Sequence, residues 1–299
     1  MNDTTMASKL PARTSVATSV PISVVTPITA RPPLAAAARR QSFYYRKEGL
    51  ILSSLTALLL LAVWEACWQA KLISPLFFSG PSAIAVKFVE LLGNGQLLSD
   101  IAYSGGNYLI GLGLALLVGV PLGIVLGWYR RALLAFDWLI SALYATPRIA
   151  LYPLIIIWFG IGSGSKVFIV FISAVLPILV NTIAGVRNID ADLLRAARAF
   201  CARDRDIFIT VALPSSVPFI LTGVRQAVAH GLIGVIIAEI TAGSQGVGYM
   251  IAYAGQMFAT DTLMVGVLVT ACAGMLLTAL AARIQRHFER WRPAHSGGN

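Results

Sequence analysis

"RAARAFCARDRDIFITVALP", Arg195 to Pro214, contrasts with everything around it. Its first twelve residues hold Arg195, Arg198, Arg203, Asp204, Arg205 and Asp206, in a 299-residue chain that is 57% hydrophobic and 12% charged. Just upstream, Asp190 can cap a helix N-terminus, and Asp192 suits the first turn. Leu193, Leu194, Ala197 and Phe200 recur at helical spacing. The pattern slips around Cys201 to Arg203, and Ile207, Phe208 and Val211 start a second apolar face. Pro214 and Pro218 then reset the chain. This predicts two short helices with a bend, held outside a bilayer. A bare connector needs fewer residues, whereas a charged surface with apolar ridges suits a soluble partner.

The flanking sequence supplies the bilayer. Mean hydropathy is +0.77, too apolar for an ordinary soluble domain. A spanning helix needs about 20 mostly apolar residues. Segments 50–69, 105–128, 134–159, 166–186, 217–238 and 262–282 meet that need. The alternation of a membrane β-barrel is absent. The fold class is an all-α polytopic membrane protein with six spans. Arg39, Arg40, Arg46 and Lys47 precede the first span, Arg130 and Arg131 follow the second, Arg187 to Arg205 follow the fourth, and Arg283 to Arg292 follow the sixth. The positive-inside rule puts these loops and both termini in the cytoplasm. The formal charge of +10 is thereby explained without nucleic acid, and it says nothing about the charge of a solute.

Residues 1–41 are rich in Thr, Ser, Ala and Pro and lack the apolar core of a signal peptide. They read as a disordered cytoplasmic tail, and 293–299 as a flexible one. Pro81 is expected to start a short amphipathic helix, 82–92, on the outer surface. In the second span Gly111, Ala115, Gly119, Gly123 and Gly127 recur at every fourth position. They form one face of small residues along which another helix can approach closely. Pro121, Pro147, Pro153 and Pro177 fall at membrane depth and are expected to kink their helices.

"GIGSGSK", Gly160 to Lys166, is not a phosphate loop, because Lys166 follows Ser165 and precedes Val167; it reads as a turn. His230, His287 and His295 are too scattered for a metal site, and the cysteines Cys67, Cys201 and Cys272 suggest no disulfide framework. No catalytic set occurs. No cofactor is expected in this chain, and any ATP must be bound by another. Glu65, Arg148, Arg225 and Glu239 are ionisable groups within or at the ends of spans, where such groups are costly and often functional. Glu65, Asn181 and Glu239 are candidates for pathway or gating roles. An interfacial position remains the other reading of the two glutamates, and Arg148 and Arg225 could equally pair with carbonyls or carboxylates.

The segment from Arg195 resembles the conserved cytoplasmic loop of ABC-importer permeases, whose pattern is E-A-A, three residues, G, nine residues, I, one residue, L-P. Ala196 and Ala197 match the alanines, Val211 stands for the Ile, and Leu213 and Pro214 close the motif. Arg195 replaces the Glu and Cys201 the Gly. "PRIALYPLIIIWFGIGSGSKVFIVFISAVLPILVNTIAGVRNID" (147–190) and "TGVRQAVAHGLIGVIIAEITAGSQGVGYMI" (222–251) are similar to the nitrate/sulfonate/taurine branch, which also includes transporters of thiamine precursors. Asn107 stands where an Arg is common in that branch. The likeness covers about residues 50–292.

The resemblance implies the membrane-spanning subunit of an ATP-driven importer. Its partners would be two copies of an ATP-binding subunit, an external solute-binding protein and a second copy of the chain in a homodimer. It implies that Arg195, Ala196, Ala197, Arg198, Phe200, Cys201, Asp204, Phe208, Leu213 and Pro214 form the ATPase-coupling surface. An ion-gradient-driven secondary transporter or a non-transport scaffold is the alternative, although repeated halves and acidic relays are not evident.

Overall fold

The computed structural model describes residues 43–71, 74 and 76–289. The tails read from the sequence at 1–41 and 293–299 lie outside them. The chain divides into two units, 1–56 and 57–299. Helix α1 (Phe43–Gln69) begins in the first, and every contact described below lies within the second.

The described residues form helices and connecting turns. After α1 come α2 (Pro81–Gly93), α3 (Gln96–Trp128), α4 (Arg130–Ala145), a 3-10 turn (Arg148–Leu151), α5 (Tyr152–Phe159) and α6 (Ser163–Arg187). Then follow α7 (Ala191–Ala199), α8 (Asp204–Ile207), a π-helical turn (Phe208–Ala212), α9 (Leu213–Ala242), α10 (Val247–Gln256) and α11 (Thr260–Glu289). Five stretches are long and apolar enough to cross a membrane, and α4 with the Arg148–Phe159 segment makes a sixth, bent by 90°. The expected third span is therefore broken. Pro147 causes this: it cannot donate a helical hydrogen bond, and it keeps Thr146 out of the helical region, at ψ 129°.

α6 is the centre of the bundle and packs most extensively on α9 and α3. The stripe of small residues on α3 faces it. A Cβ added at Gly111 would lie 2.6 Å from Val170 Cβ and 2.7 Å from the Val167 carbonyl oxygen. At Gly123 it would lie 2.6 Å from Thr182 Cβ. Gly119 and Gly127 approach Ile178 and Val186 in the same way, and Ala115 is buried with Ala174, Ile178 and Ala227. Without aqueous hydrophobic driving force between spans, this close backbone approach is what holds such helices together.

α2 starts at Pro81 as expected, but it is more than a surface helix. Ile84 and Leu91 enter a core with Leu97, Val247, Met250 and Val265. α10 was not anticipated as an element. At 10 residues it is too short to span, and it packs between α9 and α11.

Candidate functional site

The Arg195–Pro214 stretch begins with a well-made helix. The Asp190 carboxylate accepts from the Asp192 amide at 2.8 Å and so caps α7. Asp192 and Arg195 pair one turn apart at the surface, a contact of small energetic weight. At the other end the Cys201 amide donates to the Arg198 carbonyl at 2.9 Å, and the Ala202 amide to the Ala197 carbonyl at 3.1 Å. This pair of bonds is the Schellman C-cap, which requires a left-handed residue just past the helix. That residue is Cys201, at φ +54°. The glycine of the motif thus corresponds to a C-cap. Here the bend is kept by a residue with a side chain.

The second helix is not separate. α8 continues through the π turn into α9, so one helical segment runs from Asp204 to Ala242. Pro214 lacks the N–H that the Thr210 carbonyl would accept, and the wider turn over 208–212 lies at that gap. The expected reset at Pro214 and Pro218 fails because the π turn accommodates the first, and the second lies inside α9 where packed neighbours make the missing bond tolerable.

The loop residues sort into two groups. Arg195, Ala196, Arg198, Phe200, Cys201, Asp204 and Pro214 are exposed, and Phe200 is 87% exposed. Ala197, Phe208 and Leu213 are half-buried. The Phe208 ring meets that of Trp128 at 4.9 Å, edge on, and so ties the loop to the end of α3. Ile207 is buried beside it. A cleft of about 390 Å³ opens here between Trp128, Tyr129, Asp204, Arg205 and Phe208.

Glu65, Asn181 and Glu239 occupy three different settings. Glu65 accepts from the Ser82 amide at 3.0 Å and its hydroxyl at 2.7 Å, at the N-terminus of α2. Trp64 Nε1 donates to the Ser79 carbonyl at 2.8 Å. Asn181 Nδ2 donates to the Pro177 carbonyl at 2.8 Å and to Gln226 Oε1 at 3.1 Å, linking α6 to α9.

Glu239 is 0% exposed, at the far end of α9 from the loop. Its Oε2 accepts from Ser104 Oγ at 2.8 Å and from the Gly248 amide at 2.9 Å. Ser104 Oγ also accepts from the Val247 amide at 2.9 Å, and Asp100 Oδ1 from the Gly246 amide at 3.0 Å. The first turn of α10 is therefore held by side chains of α3 and α9, which meet its unpaired N–H groups. Gly246, at φ +110°, has no room for a Cβ, which would lie 2.5 Å from Glu239 Cδ. Lys166, 1% exposed, donates to the Ala242 carbonyl at 2.8 Å and to that of Ile161. Sequence reasoning missed Asp100, Ser104 and Lys166. The available signal was a lysine on the lysine-poor side, with Gly246 and Gly248 following Glu239.

Residues 119–292 match the family described as the binding-protein-dependent transport system inner membrane component. The chain belongs to this family. The permease is similar to SsuC of Bacillus subtilis, named for aliphatic sulfonates transport, with 30% identity over 84% of this chain and 89% of that one. It is 32% identical to the taurine transport system permease protein TauC of Escherichia coli, over 79% of this chain and 88% of TauC. With the nitrate import permease protein NrtB of Leptolyngbya laminosa it shares 30% identity over 63% and 67% of the two chains. Among solved structures, an inward-facing form of the MetNI methionine ABC transporter shares the fold, with TM-score 0.57, 15% identity, and coverage of 64% of this chain and 96% of the other. The chain is thus a multi-pass permease of an ABC importer, a transport subunit of the nitrate/sulfonate/taurine branch.

Proposed function

We propose that this permease carries a small sulfonate, taurine or nitrate-like solute across the membrane as a homodimer driven by two copies of an ATP-binding subunit. The carrying observation is Phe200, a large aromatic left 87% exposed beside Arg198 at the bend of the 190–214 loop. Buried aromatic and arginine anchors dominate interfaces, and a solvated phenylalanine beside a C-cap is such an anchor awaiting its pocket. ATP binding and hydrolysis belong to the partner, and this chain supplies no cofactor site. The loop end is cytoplasmic, with both termini on that side, as the basic loops support. The opposite end, with α2 and α10, faces the external binding protein. The relatives' names support the solute class.

The test is co-purification. The original chain in mild detergent is expected to retain a phosphate-loop ATPase. Phe200→Ala, or Arg198→Ala, is expected to weaken that association by ten-fold or more, about 1.4–3 kcal/mol, with the chain's own stability changed by under ~0.5 kcal/mol. An ATPase retained equally by both variants would refute docking at this loop.

A further inference from the structure

Arg225, Gln226, Ala229, His230 and Ile233 are all exposed on α9. Their spacing puts them on one side of the helix. They lie around the middle of the apolar stretch 217–238, at membrane depth. Two neighbours join this side. Asn181 is bonded to Gln226. Arg148 is bonded to Ser173, which packs against Gly234, one turn beyond His230.

Arg148 is held in place by a defect in α6. Pro177 cannot donate to the Ser173 carbonyl four residues earlier. Arg148 Nη1 donates to that carbonyl instead, at 2.9 Å. One of the five N–H donors of the guanidinium is thus committed, and the bond fixes the group where the span is broken.

The set is cationic and uncompensated. Among the described residues two ion pairs form, Lys87 with Glu90 and Arg195 with Asp192, and neither involves Arg148 or Arg225. Guanidinium groups facing lipid at this depth are costly, so such groups face water or protein. Resting on the importer reading above, we infer that this side of α9, with Arg148 and Asn181, lines the translocation pathway and binds the anionic head of the solute, a sulfonate or nitrate group. The planar guanidinium fork matches two oxygens of such a group. The amides of Asn181 and Gln226 and the imidazole of His230 offer further polar contacts. Selection for the anion then occurs inside the membrane as well as in the external binding protein.

The test uses the permease purified with its ATPase in lipid nanodiscs, with Cys67, Cys201 and Cys272 replaced and Ala229→Cys introduced. The rates of modification by an anionic sulfonatoethyl and a cationic trimethylammonioethyl methanethiosulfonate are compared, each normalised to free cysteine. The anionic reagent is expected to be favoured by about ten-fold or more, and ethanesulfonate to slow its reaction. Arg225→Gln with His230→Gln, on an exposed side and so without a packing role, is expected to lower the ratio several-fold, with Arg148 supplying the remainder. Arg148→Lys keeps the charge but not the fork, and is expected to keep the ratio and lose the ethanesulfonate protection. Equal rates for both reagents, or no reaction with either, overturns the inference. Failure of an ATPase to copurify, with the anion preference intact, would overturn the proposed docking at the 190–214 loop instead and leave the anion site standing.

Discussion

Cys201→Gly should stabilise the coupling loop, and the size of the effect follows from one dihedral angle. Cys201 sits at φ +54°, where a side chain crowds the backbone and costs an L-residue about 1–2 kcal/mol. Glycine removes that cost but loses more backbone freedom on ordering, about 0.5–1 kcal/mol. The difference is a net gain of about 0.5–1 kcal/mol, or two- to five-fold in the opening equilibrium of the bend. The two C-cap bonds, Cys201 to Arg198 and Ala202 to Ala197, report on that opening directly. Hydrogen exchange followed by mass spectrometry across residues 191–206 should show protection rising by that factor, with peptides from α3 unchanged. Cys201→Val, β-branched and worse in the left-handed region, should move exchange the other way by at least as much. If Cys201→Gly exchanged as fast as the original or faster, the bend would not be the strained C-cap described, and the cysteine would be stabilising the loop by its own contacts.

Gly111→Ala should destabilise the bundle by about 1–3 kcal/mol, because the Val167 carbonyl cannot yield as a side chain would. Gly113→Ala, with nothing within 4 Å, should be neutral or mildly stabilising; thermal unfolding in detergent compares the two. Glu239→Ala should strand the Ser104 hydroxyl and the Gly248 amide, at about 1–3 kcal/mol for each buried group. Glu239→Gln, which keeps an acceptor, should cost less than half as much, read as hydrogen exchange over 243–250. Pro177→Ala should restore the missing donor to the Ser173 carbonyl. In a double-mutant cycle Arg148→Ala should then be about 1 kcal/mol less damaging than in the original chain; simple additivity would show that Arg148 is not the substitute donor.

The sequence made some of this legible and hid the rest for physical reasons. Gly111 to Gly127 announced a close packing face because their fourth-residue spacing is a helical property of the chain alone. Their partner could not be read, since any helix with a shallow ridge would serve, and α6 is known only from packing. The spacing from Arg195 to Pro214 located the loop, and the role of its glycine position emerged once the dihedral of Cys201 and the bonds to Ala197 and Arg198 were visible. The continuity across Pro214 was obscured because a proline signals a break in isolation, whereas the π turn around it is a local accommodation. α10 was missed since a ten-residue, glycine-containing stretch between two spans carries too little periodicity to separate a short helix from a loop. Glu239 stood out as a costly charge, but Ser104 and Asp100, which share its task, are ordinary residues until the fold brings α3 to the Gly246 turn.

The unbroken helical segment from Asp204 to Ala242 has a mechanical consequence. Its 39 residues, at about 1.5 Å each, make a rod of ~58 Å. A bent loop hinged at Pro214 would absorb a push from a partner within a turn or two. Moving as one body about its middle, the segment would displace each end by ~2.5 Å in opposite directions for a tilt of ~5°. One end starts three residues after the bend at Cys201, and the other carries the Glu239 carboxylate that grips α10. A displacement at one end of this segment would then arrive, reversed in direction, at the other.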